Sequence, residues 1–144
     1  MSAQITETAA STPRTCKIIR PSEHYEGRQG LDYFMGVSAE SAGSQGLCMH
    51  LLRLPPGGRA KAHLHANHES AVYLISGEVE MLYGDKLEHK AVMRAGDFVY
   101  IPAGVPHLPY NATDREAVAV LARTDPNEQE SVVLLPGLDA LVAE

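Results

Sequence analysis

The chain has no tryptophan, and its other large aromatic residues are scarce, at six tyrosines and two phenylalanines among 144 residues. It also has no apolar run of about 18 residues, which excludes a membrane-spanning helix of the usual length. The first fifteen residues have neither a basic start nor an apolar stretch, so we expect no secretory signal and a cytoplasmic location. The only two cysteines are Cys16 and Cys48, for which we expect reduced thiols.

Positive charge is also limited, since 12 basic residues face 18 acidic ones and the formal net charge is -6. An acidic protein is repelled by nucleic acids and by anionic membrane surfaces. The sequence also has no segment typical of a helix-turn-helix. We therefore expect neither a nucleic acid nor a membrane as a partner.

Short apolar runs broken by Gly, Pro, Asn and Asp make up most of the chain, a texture typical of many short strands joined by turns. It predicts an all-β fold of antiparallel strands, in a sandwich or a barrel. No internal repeat or low-complexity block divides the chain. We therefore interpret residues 1–15 as a flexible N-terminal tail and residues 16–144 as one domain.

The predicted strands follow the apolar runs, and the turns follow the Gly and Pro clusters between them. A short helix is predicted at the carboxyl end, Pro136–Glu144, from apolar residues at helical spacing. The strands are predicted at Lys17–Arg20, Gly46–Leu54, Ser70–Ile75, Glu78–Tyr83, Ala91–Met93, Asp97–Ile101, His107–Tyr110, Glu116–Arg123 and Val132–Leu135.

Histidines are clustered in the segment AHLHANHES, which contains three of the seven in the chain. On a strand, His63 and His65 point to the same face because side chains alternate. Two adjacent imidazoles on one face are suitable metal ligands. The isolated residues His24, His50 and His89 are interpreted as surface histidines or as satisfied core histidines.

A second histidine segment fits the pattern G-x5-P-x-G-x2-H-x3-N at every fixed position, through Gly96, Pro102, Gly104, His107 and Asn111. We expect the glycines and the proline to form turns. We expect Asn111 to bond the backbone at the end of a strand rather than a ligand. This pattern is the second motif of the cupin superfamily, which the chain resembles from about Leu47 to Arg123.

The resemblance implies a small single-domain cupin over residues 16–144, with a double-stranded β-helix (jelly-roll) barrel. It further implies one divalent metal ion inside the barrel, Fe, Mn, Ni or Zn, since imidazole suits all of them. The ligands that it implies are His63, His65, Glu69 and His107.

The fourth ligand has more than one candidate because the first cupin motif, G-x5-H-x-H-x3,4-E-x6-G, fits imperfectly. Glu69 has the expected spacing from His65, but Gly77 then comes one residue late, and counting back from Gly77 leads to Ser70. A bulge would turn Glu69 inward, and we favour it as the ligand. By strand parity, however, His68 shares a face with Ser70, so the alternatives are His68 and a site of three histidines alone.

The function that the resemblance implies is a metal-dependent, dioxygenase-like enzyme that acts on a small organic molecule. A non-catalytic cupin that binds or senses a small ligand is one alternative, and a metal-dependent isomerase or decarboxylase is another. The sequence assigns no catalytic side chain. A homodimer is expected, with Val132–Leu135 and the apolar carboxyl end as candidate contacts across a two-fold axis.

Overall fold

The computed structural model describes residues 14–20, 24–26, 30–127 and 131–142. The predicted tail lies outside these ranges except for its last two residues. Within them the chain forms two short helices, α1 (Ala39–Ala42) and α2 (Pro136–Val142). The strands are β1 (His24–Glu26), β2 (Asp32–Val37), β3 (Cys48–Leu54), β4 (His63–His65), β5 (Ser70–Ser76), β6 (Glu78–Tyr83), β7 (His89–Arg94), β8 (Phe98–Ile101), β9 (His107–Tyr110), β10 (Ala117–Arg123) and β11 (Val132–Leu134).

Two sheets face each other. The larger has the strand order β1-β2-β3-β10-β5-β8, and the smaller has the order β11-β4-β9-β6-β7. The strand pairs are antiparallel. From β4 onward the chain passes repeatedly between the two sheets, which is how a jelly roll is built. The predicted all-β antiparallel jelly-roll barrel is therefore confirmed.

The hydrophobic core lies between the sheets, where alternate residues of each strand point inward. Strand β10 shows this most clearly, because burial alternates along its whole length and places Ala117, Ala119, Leu121 and Arg123 on the inner face. The apolar residues of this face pack with inward residues of both sheets, among them Leu52, Leu54, Leu74, Val79 and Met93.

The turn between β5 and β6 requires a glycine. Gly77 has a φ of 85°, and a Cβ atom there would lie 2.8 Å from the Cα atom of Ala117. An L-residue would be strained by the backbone and would also collide with β10. Gly77, the glycine that comes one residue late in the first motif, is therefore required by the close packing of this hairpin against β10.

The sequence predictions include one strand that the structure does not form, and they do not include β1, β2 or α1. Residues Lys17–Arg20 form no regular element, so the strand predicted there is wrong. Strand β2 was not predicted, because Gly36 interrupts its apolar pattern. The register of β2 against β3 shifts between Phe34 and Val37, and a Cβ on Gly36 would lie 2.4 Å from the carbonyl oxygen of Met49. The bulge in β2 therefore requires a glycine at position 36, and a glycine at that position also weakens the strand pattern in the sequence.

The carboxyl-terminal segment packs onto the smaller sheet of its own chain. Strand β11 pairs with β4, and Leu138 and Val142 of α2 pack against a buried cluster that contains Leu108. These contacts use the segment that the sequence suggested for a dimer contact. Neither helix of the described residues is long enough to cross a bilayer.

Candidate metal centre

Two strands of the smaller sheet supply the three predicted histidine ligands. His63 and His65 are the two ends of β4, and both side chains point inward because they are two residues apart. His107 begins β9 and lies directly opposite His63 in the pairing of these strands. The backbone N–H of Gly104 also donates to the carbonyl oxygen of His65 at 2.8 Å, which fixes the second motif beside the first.

The three imidazoles converge on one point. The ring of His63 lies 4.3 Å from that of His107 and 5.1 Å from that of His65, measured between centroids. One ligand nitrogen from each ring lies within 4.8 Å of the others. All three residues are at least 97% buried. Such an enclosed group of nitrogens suits a transition-metal ion better than packing alone.

Backbone carbonyls orient two of the rings. The Nδ1 of His63 lies 2.7 Å from the carbonyl oxygen of Lys61, and the Nδ1 of His107 lies 3.0 Å from that of Val105. A carbonyl oxygen only accepts, so each Nδ1 carries the proton and each Nε2 keeps its lone pair for an ion. The buried Nδ1 of His65 has no hydrogen-bond partner among the described residues. This donor set fits a divalent ion, which needs neutral imidazoles with free lone pairs.

Burial keeps the imidazoles neutral. It lowers the pKa of His63 to about 3, with a further contribution from His107. Burial also lowers the pKa of His107 to about 4, against the opposing effect of the Val105 carbonyl. The pKa of His65 is lowered by burial and then by the positive charge of Arg123. All three rings are therefore ready to bind a cation at neutral pH.

We expect the metal-free protein to lose stability as the pH falls. The pKa of His107 is about 4 in the folded chain and close to 6.5 when unfolded, so the unfolded chain takes up the proton first. The stabilisation is complete above about pH 6.5 and is lost as the pH approaches 4, by roughly 3 kcal/mol for His107 alone. Urea unfolding of the chelator-treated protein at several pH values between about 7 and 4 measures this loss.

The matched comparison is His107→Asn, which should lose less stability over the same pH range because one titrating group is gone. An exposed histidine, His89, serves as the control, and His89→Asn should follow the parent protein. Equal pH dependence in His107→Asn and the parent would contradict the neutral, buried state of His107.

The histidine group lines a cavity of about 60 Å³ inside the barrel. The wall is mostly apolar and comes from both sheets. Besides the histidines, its polar members are Tyr33, Ser70 and Arg123, and none of its residues is acidic. The cavity thus combines an apolar wall with a few convergent polar groups, as small-molecule sites do.

Neither candidate for a fourth ligand belongs to the histidine group. Glu69 is exposed, and its Oε1 accepts a hydrogen bond from the hydroxyl of Tyr100 at 2.6 Å. His68 is buried with its ring 4.6 Å from that of His65, but its Nδ1 lies 3.0 Å from the Ser131 hydroxyl. The bulge that would turn Glu69 inward is not present, since Ser70 begins β5 on the inner face. The structure thus brings together three of the predicted ligands and leaves Glu69 outside.

Sequence reasoning did not single out Arg123, which is 4% exposed and lines the cavity. A signal was available, because the alternation of Ala117, Ala119 and Leu121 on one face of β10 places Arg123 on the same face. A charged residue at the end of a strand is commonly expected to face solvent, and for this reason the inward position of Arg123 was not predicted.

The other isolated histidines behave as expected where they are described, since His50 is buried and accepts from the N–H of Gly36, and His89 is exposed. The side chain of His24 lies outside the described residues.

The chain is similar in sequence to known proteins. The cupin domain family matches residues 50–123, just over half of the chain. Germin-like protein 3-1 of Oryza sativa subsp. japonica is 31% identical over 88 residues, which are 60% of this chain and 39% of that protein. The chain therefore spans well under half the length of this relative.

Solved structures with the same fold include oxalate decarboxylase of Bacillus subtilis, in work on its Mn(II) centres. Its TM-score is 0.64 at 24% identity, over 81% of this chain and 30% of that one. The polyketide cyclase RemF of Streptomyces resistomycificus has a TM-score of 0.67 at 15% identity, over 84% of this chain and 86% of that one. At these identities the likeness shows the fold alone.

Proposed function

Because the chain belongs to the cupin family, we propose that it is a metal-dependent enzyme that acts on a small organic molecule inside the barrel. One divalent ion is bound by His63, His65 and His107. The observation that carries the proposal is the convergence of three buried, neutral imidazoles on a cavity with an apolar wall. A similar donor set without a cavity would suit a structural ion, whereas an open coordination position beside a cavity suits catalysis.

The identity of the ion is among Fe, Mn, Ni and Zn. Imidazole nitrogen binds all four, and the absence of cysteine from the group disfavours the ions that prefer thiolate. The Mn(II) centres of the Bacillus subtilis oxalate decarboxylase support manganese as one of these. Elemental analysis of the purified protein identifies the ion.

When bound, the ion supplies Lewis-acid polarisation of a substrate oxygen or, as iron, redox chemistry with dioxygen. The chain's own residues do the rest. The carbonyl oxygens of Lys61 and Val105 hold two rings in one tautomer, and the apolar wall excludes bulk water. A dry site strengthens each polar contact with the substrate. We propose a dioxygenase-like reaction as the first candidate.

Two alternatives to a dioxygenase belong to other functional classes. The cavity wall offers no acidic residue, which leaves open a cupin that binds or senses a small ligand without turning it over. A metal-dependent isomerase or decarboxylase needs the ion only to stabilise an enolate-like charge. Dioxygen consumption distinguishes the dioxygenase from the isomerase or decarboxylase. Ligand binding without product formation identifies the non-catalytic cupin.

The fourth coordination position is tested by substitution at the two residues that remain candidates. The exposure of Glu69 supports the three-histidine version, in which both Glu69→Gln and His68→Gln keep the ion. A Glu69 ligand predicts instead that Glu69→Gln weakens metal retention by about 10-fold or more, and a His68 ligand predicts this for His68→Gln.

The enzyme proposal is tested on protein purified without chelators. Elemental analysis is expected to find about one divalent ion per chain, and product formation from candidate small molecules should require that ion. For the dioxygenase, consumption of dioxygen should match product formation, and activity should stop under anaerobic conditions. Protein without any divalent ion would refute both enzyme candidates together.

A homodimer stays a prediction. The contact suggested by the sequence is used within the chain, where β11 pairs with β4. The outer face of the larger sheet is a better candidate, because it exposes several large apolar side chains. These include Phe98, Tyr100, Ile75, Met49 and Tyr73. Contiguous exposed apolar surface of this kind is typical of a protein interface.

A further inference from the structure

His68 lies beside the proposed ligand His65 and has no role of its own in the proposed site. Its side chain is fully buried, with 0% exposed, and its ring lies 4.6 Å from that of His65, measured between centroids, at a tilt of 36°. Each ring has one buried nitrogen without a hydrogen-bond partner among the described residues, Nδ1 on His65 and Nε2 on His68. Such atoms are costly, so two of them on neighbouring rings indicate a shared partner or a bond to each other.

The contacts of His68 identify which of its nitrogens carries the proton. Its Nδ1 lies 3.0 Å from the hydroxyl oxygen of Ser131 and 3.8 Å from the Oδ2 of Asp125. A carboxylate only accepts and a hydroxyl oxygen can accept, so both groups favour a proton on Nδ1. Burial lowers the pKa of His68, which leaves the ring neutral at neutral pH. The Nε2 of this neutral ring therefore has a free lone pair and acts as an acceptor.

The same reasoning assigns the opposite role to His65. When Nε2 of a neutral imidazole binds an ion, the proton is on Nδ1. In His63 and His107 a backbone carbonyl oxygen accepts from that nitrogen, whereas His65 has no such acceptor among the described residues. His65 thus has a donor without an acceptor, and His68 beside it has an acceptor without a donor.

The segment before β11 keeps His68 in this orientation. Ser131 directly precedes β11, whose Val132 pairs with His65 in β4. Its φ of 59° is uncommon for a residue other than glycine, and its carbonyl oxygen accepts from the N–H of Ala66 at 2.9 Å. A backbone conformation of this kind persists only where its surroundings hold it, and such residues are concentrated at functional sites.

We propose that Nε2 of His68 accepts a hydrogen bond from Nδ1 of His65, and that this bond positions the ring of His65 for the metal ion. The inference rests on the proposed function and adds a positioning residue to it. An acceptor behind a metal-binding imidazole fixes the ring and raises its basicity as a ligand. Two imidazoles bonded in this way have centroids roughly 5 Å apart. A small rotation of the rings about their Cβ–Cγ bonds, which are soft torsions, reaches this distance from 4.6 Å.

Substitutions at position 68 distinguish a hydrogen-bond acceptor from a ligand. His68→Leu removes the acceptor and should weaken zinc binding by about 10-fold or more. His68→Gln should stay within about 3-fold of the parent, because the amide oxygen of glutamine accepts and reaches nearly as far as Nε2. Competition with a fluorescent chelator measures these affinities. The matched control is His50→Leu, which removes a buried imidazole outside the histidine group and should bind zinc as the parent does.

Ring nitrogen spectra test the hydrogen bond without any assay of activity. Two-bond proton–nitrogen correlations identify the protonated nitrogen of each histidine in the zinc-loaded protein, and we expect Nδ1 for both His65 and His68. The Nδ1 proton of His65 should exchange slowly with water in the parent and in His68→Gln. In His68→Leu it should exchange about 10-fold faster, because the bond that protects it is lost.

The outcomes separate this inference from the proposed function. Parent-like zinc affinity in His68→Leu, or a proton on Nε2 of either ring, would overturn the positioning role even if the protein binds its ion. A loss of about 10-fold or more in both His68→Gln and His68→Leu would also overturn it, since His68 would then act as a ligand. If His68→Leu does not fold, as judged by circular dichroism, His68→Asn takes its place, because its amide is too short to reach the ring of His65.

A protein that binds no divalent ion would refute the proposed function. The ring spectra and proton exchange of the metal-free protein would then decide whether His65 and His68 are bonded. Zinc binding that is weakened in His68→Leu and restored in His68→Gln, with both rings protonated on Nδ1, is the result that supports the positioning role.

Discussion

Replacing His107 by alanine is expected to lower the affinity for a divalent ion by about 100-fold or more. Removal of residues that only support metal ligands already costs about 10-fold to 100-fold, and in the proposed site His107 itself supplies one of the three nitrogens. Its ring lies 4.3 Å from that of His63, and among the described residues the group has no members besides His63, His65 and His107. Competition with a fluorescent chelator measures the affinity, and elemental analysis measures the retained ion.

The control for this substitution is His89→Ala. His89 is exposed on β7 and is not one of the three residues of the described histidine group. It should therefore keep the full metal content of the parent protein. A His107→Ala variant that retains the ion with its affinity unchanged would show that the three rings do not share one ion, even if the barrel remains intact.

Replacing Asn111 by alanine is expected to lower the free energy of unfolding by roughly 2–6 kcal/mol, since four hydrogen bonds are lost at about 0.5–1.5 kcal/mol each. Asn111 is 1% exposed. Its Nδ2 donates to the carbonyl oxygens of Leu54 and Arg115 at 3.1 and 2.6 Å. Its Oδ1 accepts from the N–H and the hydroxyl of Thr113 at 2.9 and 2.7 Å. Alanine would remove all four bonds and would take the Asn111 donor away from the buried carbonyl oxygen of Leu54.

Urea unfolding of the parent protein and of Asn111→Ala measures this loss, with Asn67→Ala as the control on an exposed asparagine. The metal affinity of the folded variant should change much less than its stability, because Asn111 bonds backbone at the strand end and not the ligand rings. A loss below about 1 kcal/mol, or a loss equal to that of Asn67→Ala, would contradict the structural role of Asn111.

The histidine group could be predicted from sequence because the position of each proposed ligand depends on local rules. Side-chain alternation places His63 and His65 on one face, and the fixed spacing of the second motif leads to His107. The expected role of Asn111 as a backbone-bonding residue agrees with its four hydrogen bonds. Short-range spacing and parity were sufficient for these residues.

The remaining features depend on contacts between distant parts of the chain. The orientation of Glu69 is decided by where β5 begins and by its pairing with β8, including Ser70 opposite Ile101, which spacing along the chain does not reveal. Strand β2 is recognised only through its bulged pairing with β3. Strand alternation places Arg123 on the inner face of β10. The cavity that this face lines depends on both sheets and could not be predicted from the sequence.

The pairing of β4 with β9 at a single position, His63 opposite His107, has a consequence for the dynamics of the barrel. Backbone hydrogen bonds from Gly104 to His65 and from Ala60 to Pro109 flank this pair, and amide hydrogens in so short a ladder exchange with solvent through local opening. An ion bound by residues of both strands would cross-link the ladder at this pair, so opening of the seam between β4 and β9 would be coupled to release of the ion. The seam is therefore expected to exchange slowly in the loaded protein and quickly after chelation.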